Sequence, residues 1–309
     1  MDFSTKYTVR TDLADELVEQ ARQKKGKIGD GILFETQCIN GIKVDCITVE
    51  SDLAAKEIGK PKGRYATVET GEIWKKTKTE LENTAKTVSE VVKDMMPKDG
   101  LCLVAGLGNV KITADAIGPV AADNIIVTRH IKNENKALYD SLGFGECACI
   151  KPGVTGDTGA QAFELIKGAA DVLKPSCVVV VDALAARNTQ RLAKTVQICD
   201  SGILPGSGVG NARHEISRRT LGVPTISVGV PTVVEAQSLC LDMLSDVLEG
   251  EKEIYNYIEE KLSGSIHRFF VCPKETDRII KCMAKLVGYS LNFAIHKDIT
   301  VDEMDEFLS

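Results

Sequence analysis

Apolar positions along this chain switch repeatedly between a helical and a strand period. Leu13, Leu17, Val18 and Ala21 recur at helical spacing. They predict a helix over Leu13–Lys25 that ends in basic residues before Gly26. Ile32–Ile39 and Ile42–Val49 flank Asn40-Gly41, a strong signal for a hairpin with a two-residue turn. Gly59–Gly71 reads as a loop followed by a short strand, alternating at Tyr65-Ala66-Thr67-Val68. Lys75–Met96 carries an apolar stripe at Leu81, Ala85, Val88 and Val92, and Pro97 and Gly100 stop it.

From Leu101 the pattern becomes strand, loop, helix. Leu101–Ala105 is a short apolar run ending in glycines, as expected of a buried parallel strand. A short strand is expected at Ile125–Thr128 and a helix within Gly156–Leu173. Cys177–Val181 is the most apolar β-branched run in the chain and reads as a central parallel strand. A helix is expected at Ala183–Ala193, strands at Val196–Cys199 and Val223–Val230, and a helix at Val233–Leu248. Ile254–Leu262 and Thr276–Ile295 read as helices separated by Gly264-Ser265, fit for a lid, an oligomer contact or an appended subdomain. Strands alternating with helices predict an α/β fold, a doubly wound, mostly parallel sheet flanked by helices. The hairpin at 32–49 is an N-terminal addition to it, and 250–309 a C-terminal helical segment.

Composition narrows the class. With 309 residues and 43% apolar content the chain can bury a substantial core. A net charge of −6 argues against a general nucleic-acid-binding surface. Ten cysteines are scattered, with no secretory signal and no long apolar span, so reduced thiols, a cytosolic setting and no membrane partner are expected. No CxxC pair exists, and His130, His214, His267 and His296 lack ligand spacing; neither a metal nor a cofactor is expected.

Candidate chemistry gathers at strand ends. Gly106-Leu107-Gly108-Asn109 follows the Leu101–Ala105 strand, and Asp115 follows seven residues after Gly108. G-x-G after a strand suggests a dinucleotide site, but the third glycine of that fingerprint is missing. Asp182 closes the valine run, so two carboxylates from different strand ends face one crevice, where open α/β sheets bind ligands. Such a pair can activate water for hydrolysis; alternatively each Asp caps a helix. Asp157 in Gly156-Asp157-Thr158-Gly159 and Asp200 in Asp200-Ser201-Gly202 match the D-[ST]-G letters of pepsin-like proteases, which are all-β. In this α/β pattern Asp157 reads as an N-cap, and Asp200 as a residue shaping the loop of Gly202, Gly206, Gly208 and Gly210.

Several longer segments share a family pattern. GLGN at 106–109 with TADAIGP at 113–119, VDALAAR at 181–187, SGILPGSGVGN at 201–211, GVPTIS with GVPTVVEA at 222–236, and YTVRTDLA at 7–14 together resemble the germination protease family of spore-forming bacteria. The first motif also resembles that of hydrogenase maturation endopeptidases, a related α/β fold. The resemblance implies an endopeptidase made as a self-processing zymogen, with residues 1–12 as propeptide and 13–309 as one peptidase domain. It implies small acid-soluble, DNA-binding spore proteins as substrates, cut after an acidic residue that precedes a bulky apolar one and Ala. Asp12-Leu13-Ala14 fits that site, which makes Asp12–Leu13 the expected processing bond. Asp52-Leu53-Ala54 fits by letter, but follows the hairpin inside a folded region that should resist cleavage. The resemblance further implies Asp115 and Asp182 as the catalytic pair, a homotetramer, and a cytoplasmic location in the forespore and spore core. Gly106, Gly108 and Asn109 would form a substrate or oxyanion loop. Arg129 or Arg187 would either hold the acidic substrate residue or form ordinary surface ion pairs. Two other readings stand beside this one: a hydrogenase-maturation-type endopeptidase, and a non-catalytic scaffold that binds spore proteins.

Overall fold

The computed structural model describes residues 11–26, 29–206, 214–247, 254, 257–258 and 269–309. Residues 1–10, most of the expected Ile254–Leu262 helix, and Gly208 and Gly210 lie outside them. Among the described residues nine strands form one sheet: β1 Ile32–Ile39, β2 Ile42–Val49, β3 Gly63–Glu69, β4 Cys102–Gly106, β5 Cys147–Ile150, β6 Cys177–Ala186, β7 Thr195–Cys199, β8 Thr225–Glu235 and β9 Phe270–Val271. Their order is β1-β2-β3-β7-β8-β6-β4-β5, with β9 paired to β8. The segment β5-β4-β6-β8 is parallel throughout and forms the doubly wound centre. The hairpin β1–β2, together with β3 and β7, extends it antiparallel.

The centre is covered on both faces, as parallel sheets require. Val104, Val179 and Val181 face one side, where they pack with Ile117, Ala121, Met283 and Leu286. Their neighbours Leu103, Ala105, Val178 and Val180 face the other, against Ile166 and Ala170 of helix Ala162–Leu173. Helix Thr276–Ile295 lies in the first of these layers with Met283, Leu286 and Val287 fully buried, beside helix Lys78–Met95. It is therefore a core element rather than a lid. Among the described residues no helix is long and apolar enough to cross a membrane, and all ten cysteines are free thiols.

Three expected elements differ. Residues 183–186 do not start a helix; they continue β6, paired with β8 as far as Ala186 opposite Val234. Backbone pairing in the sheet overrides the helix propensity of Ala-Leu-Ala-Ala. Ile125–Thr128 is a loop, its Ile126 N–H given to the Asn292 side chain and its Thr128 N–H to the Cys147 carbonyl. The edge strand is instead β5, whose Cys-Ala-Cys-Ile sequence carries little strand signal. Finally, β8 runs through Pro231 to Glu235, where a bulge opposite Leu184 and Ala185 inserts Thr232 as an extra residue. A bulge is a position at which a strand tolerates proline.

Candidate active site

The connection leaving β4 runs to β5, and the one leaving β6 runs by way of β7 to β8 on the other side. The carboxyl ends of β4 and β6 are thus the point where the winding reverses and a crevice opens. β4 stops at Gly106, opposite Val181, while β6 continues five residues further. A cavity of about 470 Å³ fills that step, lined by Asp115, Asp182, Gly108, Leu184, Thr232 and Asp12, among others.

Asp115 is set there by close backbone contacts. The Leu107 N–H donates to the Val181 carbonyl, which pulls the glycine turn against β6. Gly108 then adopts a φ of +116°, and a side chain there would point at the Asp115 carbonyl oxygen, 2.0 Å from its Cβ. Only glycine combines that backbone with that approach. The Asn109 N–H donates to both the carbonyl (3.1 Å) and the carboxylate (2.9 Å) of Asp115. Two amides of the expected oxyanion loop, those of Leu107 and Asn109, are thereby engaged in building the turn. Gly118 completes the seat: a Cβ there would lie 2.5 Å from the Val181 carbonyl oxygen, so the following helix Ile117–Ala122 can rest directly on β6.

Asp182 arrives from the other strand. It sits within β6 opposite Gly229 of β8, it is buried, and its Oδ1 accepts the N–H of Ala183 at 2.9 Å. It caps no helix. The bulged Thr232 closes the wall, its hydroxyl donating to the Ala114 carbonyl at 2.6 Å. The bulge on β8 thereby ties the 3₁₀ turn Thr113–Asp115 to the sheet.

The third carboxylate of the cavity is Asp12. Its N–H donates to the Ala185 carbonyl at 2.8 Å, and the Ala185 N–H donates to Asp12 Oδ2 at 2.9 Å. Residue 12 therefore lies extended along the part of β6 that β4 leaves uncovered. Leu13 is fully buried among Leu184, Ala186, Leu192 and Val234. Helix Ala14–Lys25 begins at once and is anchored by its first turn. Asp15 pairs with Arg191 at 2.8 Å, and Glu16 accepts the N–H groups of Arg187 and Asn188. Burial raises both carboxyls above their ordinary range. The Arg191 charge opposes this at Asp15; the Thr11 hydroxyl and the two amides oppose it at Glu16.

The other sequence candidates lie elsewhere. Asp157 sits in the single turn Thr155–Thr158 and pairs with Lys111 at 2.8 Å; the cap of helix Ala162–Leu173 is Gln161. Asp200 accepts the Arg64 N–H (2.7 Å) and Nε (3.0 Å), tying its loop to β3. Arg187 contributes its main-chain N–H to Glu16. Ala185, Thr232 and Gln197 were not singled out by the sequence. Gln197 alone left a trace there, as a polar residue in the middle of a wholly buried strand.

The germination protease family model matches residues 10–250, which span Asp12, Asp115, Asp182 and Thr232. The chain is 36% identical to a germination protease of Caldanaerobacter subterraneus subsp. tengcongensis, covering 97% of this chain and 98% of that one. It is 35% identical to one from Clostridium perfringens, covering 98% and 100%, and 35% identical to one from a Geobacillus species, covering 97% of each. A solved [NiFe] hydrogenase maturation protease from Thermococcus kodakarensis aligns with a TM-score of 0.34 and 17% identity, over 65% of this chain and 98% of that one. At that score the likeness carries no argument.

Proposed function

This chain belongs to the germination protease family and is a peptidase, and on that premise we propose an aspartate-dependent endopeptidase, made as a precursor, that cuts its own Asp12–Leu13 bond. Asp115 and Asp182 are the catalytic pair in this reading. The observation that carries it is that Asp12, Asp115 and Asp182 line one cavity, although they come from the chain terminus, the loop after β4 and the middle of β6.

One carboxylate takes a proton from a water molecule as the water oxygen bonds to the Asp12 carbonyl carbon. The other gives a proton to the Leu13 nitrogen as the C–N bond breaks. The products are an Asp12 carboxylate and a Leu13 amine, with one water consumed. Substrates in trans would be small acid-soluble spore proteins, cut where an acidic residue precedes a bulky apolar residue and Ala. The segment Asp12-Leu13-Ala14 supports that preference: its acidic side chain meets the Ala185 N–H, its leucine packs among apolar side chains, and its alanine is fully buried. Action on spore proteins would take place in the cytoplasm of the forespore and the spore core, by a homotetramer.

The test is intact-mass and N-terminal analysis after mild acidification of purified precursor, wild type beside Asp115→Asn. Loss of residues 1–12 from wild type alone is the expected result. Equal cutting of both would leave Asp115 a structural residue and remove the pair.

A further inference from the structure

The Asp12–Leu13 bond is held by one side chain in particular. Gln197 lies in β7 with its side chain on the face opposite the core residues Val196 and Ile198. It is buried, and a buried primary amide is costly unless both of its ends find partners. Both do. Its Oε1 accepts the Ala14 N–H at 2.6 Å, and its Nε2 donates to the Asp12 carbonyl oxygen at 3.1 Å. The first contact fixes which end of the amide is oxygen, because a backbone N–H can only donate. The second is then necessarily a donor aimed at a carbonyl.

That carbonyl belongs to the Asp12–Leu13 bond itself, and Ala14 is the second residue beyond it. The amide therefore straddles the bond. The N–H groups of the two residues that form the bond are also engaged. The Asp12 N–H goes to the Ala185 carbonyl, and the Leu13 N–H goes to the Thr11 hydroxyl at 3.0 Å. With Leu13 locked among Leu184, Ala186, Leu192 and Val234, the bond is presented in a single orientation.

We infer that Gln197 is a catalytic residue of the processing reaction: its Nε2–H group stabilises the negative charge that develops on the Asp12 carbonyl oxygen when water adds. The inference rests on the reading that Asp12–Leu13 is the bond cut. Addition of water moves the C=O π electrons onto the oxygen, and collapse of the adduct returns them as the C–N bond breaks. A donor fixed beforehand by strand packing and by the Ala14 N–H interacts more strongly with that oxyanion than with the neutral carbonyl, so it favours the transition state. The amides of Leu107 and Asn109 are committed to the glycine turn. The same group can serve an acidic–apolar–Ala peptide bound in trans once the N-terminal segment has left.

Two variants test it. Gln197→Met keeps the volume, stays neutral and has no donor for the carbonyl; Gln197→Glu keeps an acceptor for the Ala14 N–H and lacks the donor when ionised. Self-processing is followed by intact mass at a temperature well below each variant's measured melting point. Turnover of a synthetic peptide with the sequence of residues 6–20 is followed with the shortened enzyme. Loss of one oxyanion donor is expected to slow both by roughly 10²–10³-fold, in kcat rather than KM. A residue that merely anchored the helix would lower the melting point and leave kcat unchanged. Processing by both variants within twofold of wild type overturns the assignment. Wild type that keeps residues 1–12, or cuts elsewhere, overturns the underlying reading and this inference with it.

Discussion

The letters Asp-Leu-Ala occur twice at the start of a helix, with opposite fates. At 12–14 the aspartate lies extended along β6, the leucine is 0% exposed, and the helix begins at Ala14. At 52–54 the aspartate is already the first helical residue, behind Ser51, whose side chain accepts the Ala54 N–H. There Leu53 is 74% exposed, and Asp52 pairs with Lys62 at the surface. The alanines at 14 and 54 are both fully buried. What separates the two sites is two residues of helix boundary: the first tripeptide enters its helix only at Ala14, with Asp12 fastened to Ala185 of β6, and the second is helical from Asp52 on. A protease that binds its substrate by adding it to a strand edge can read only the first.

That contrast is broken most severely from the chemical side. Asp115→Asn and Asp182→Asn should each slow cutting at Asp12–Leu13 by about 10³-fold or more while leaving the Asp52–Leu53 bond as intact as in wild type; mass mapping of both bonds over time would read this, and wild-type rates in both variants would sink the pair. Next in size is the leucine comparison. Leu13→Ala should cost about 2–5 kcal/mol in chemical denaturation, as emptying a packed pocket does, and should slow processing. Leu53→Ala should stay within about 0.5 kcal/mol. Equal effects would mean that residue 13 is not docked in solution. Gly108→Ala should cost about 1–3 kcal/mol through backbone strain and should also displace Asp115; a fully active variant of unchanged stability would contradict the tight turn. The smallest effect concerns pH. Burial raises the carboxyls of Asp15 and Glu16 above their unfolded values, so their protonated forms favour the docked helix. Their stabilising contribution is complete below the unfolded range, about pH 4, and is lost as pH rises through the raised folded values. Hydrogen exchange across Ala14–Lys25 should therefore slow as pH falls toward 5, after correction for intrinsic rates, and Glu16→Gln should flatten that trend. A variant with an unchanged pH slope would exclude Glu16 as a source.

Much of this arrangement was legible in the chain. The β1–β2 hairpin has the predicted bounds because Asn40-Gly41 fixes both turn and register. Asp115 could be placed at the crevice from the end of β4; Asp182 lines it from inside β6, because β4 stops opposite Val181. The continuation of β6 past Asp182 was hidden, since Ala183-Leu184-Ala185-Ala186 has helical propensity and only the neighbouring β8 makes it a strand. Thr232 was hidden for a similar reason: a bulge is a mismatch between two strands, and no single sequence segment records it. The Gln197 contacts depend on a residue 185 positions away; a buried glutamine in a β-strand announces that a partner is needed, not which one.

Those separations have a temporal side. Synthesis proceeds from the N-terminus, so Asp12 leaves the ribosome long before Ala185 and Gln197, which lie 173 and 185 residues further along. The Asp115 turn is fastened to Thr232, later still. Contacts of such high contact order form only after the intervening chain has been made and has collapsed around them. The growing polypeptide thus carries the Asp12–Leu13 bond, the proposed cleavage site, through most of translation before the cavity around it is complete, and the topology acts as a clock.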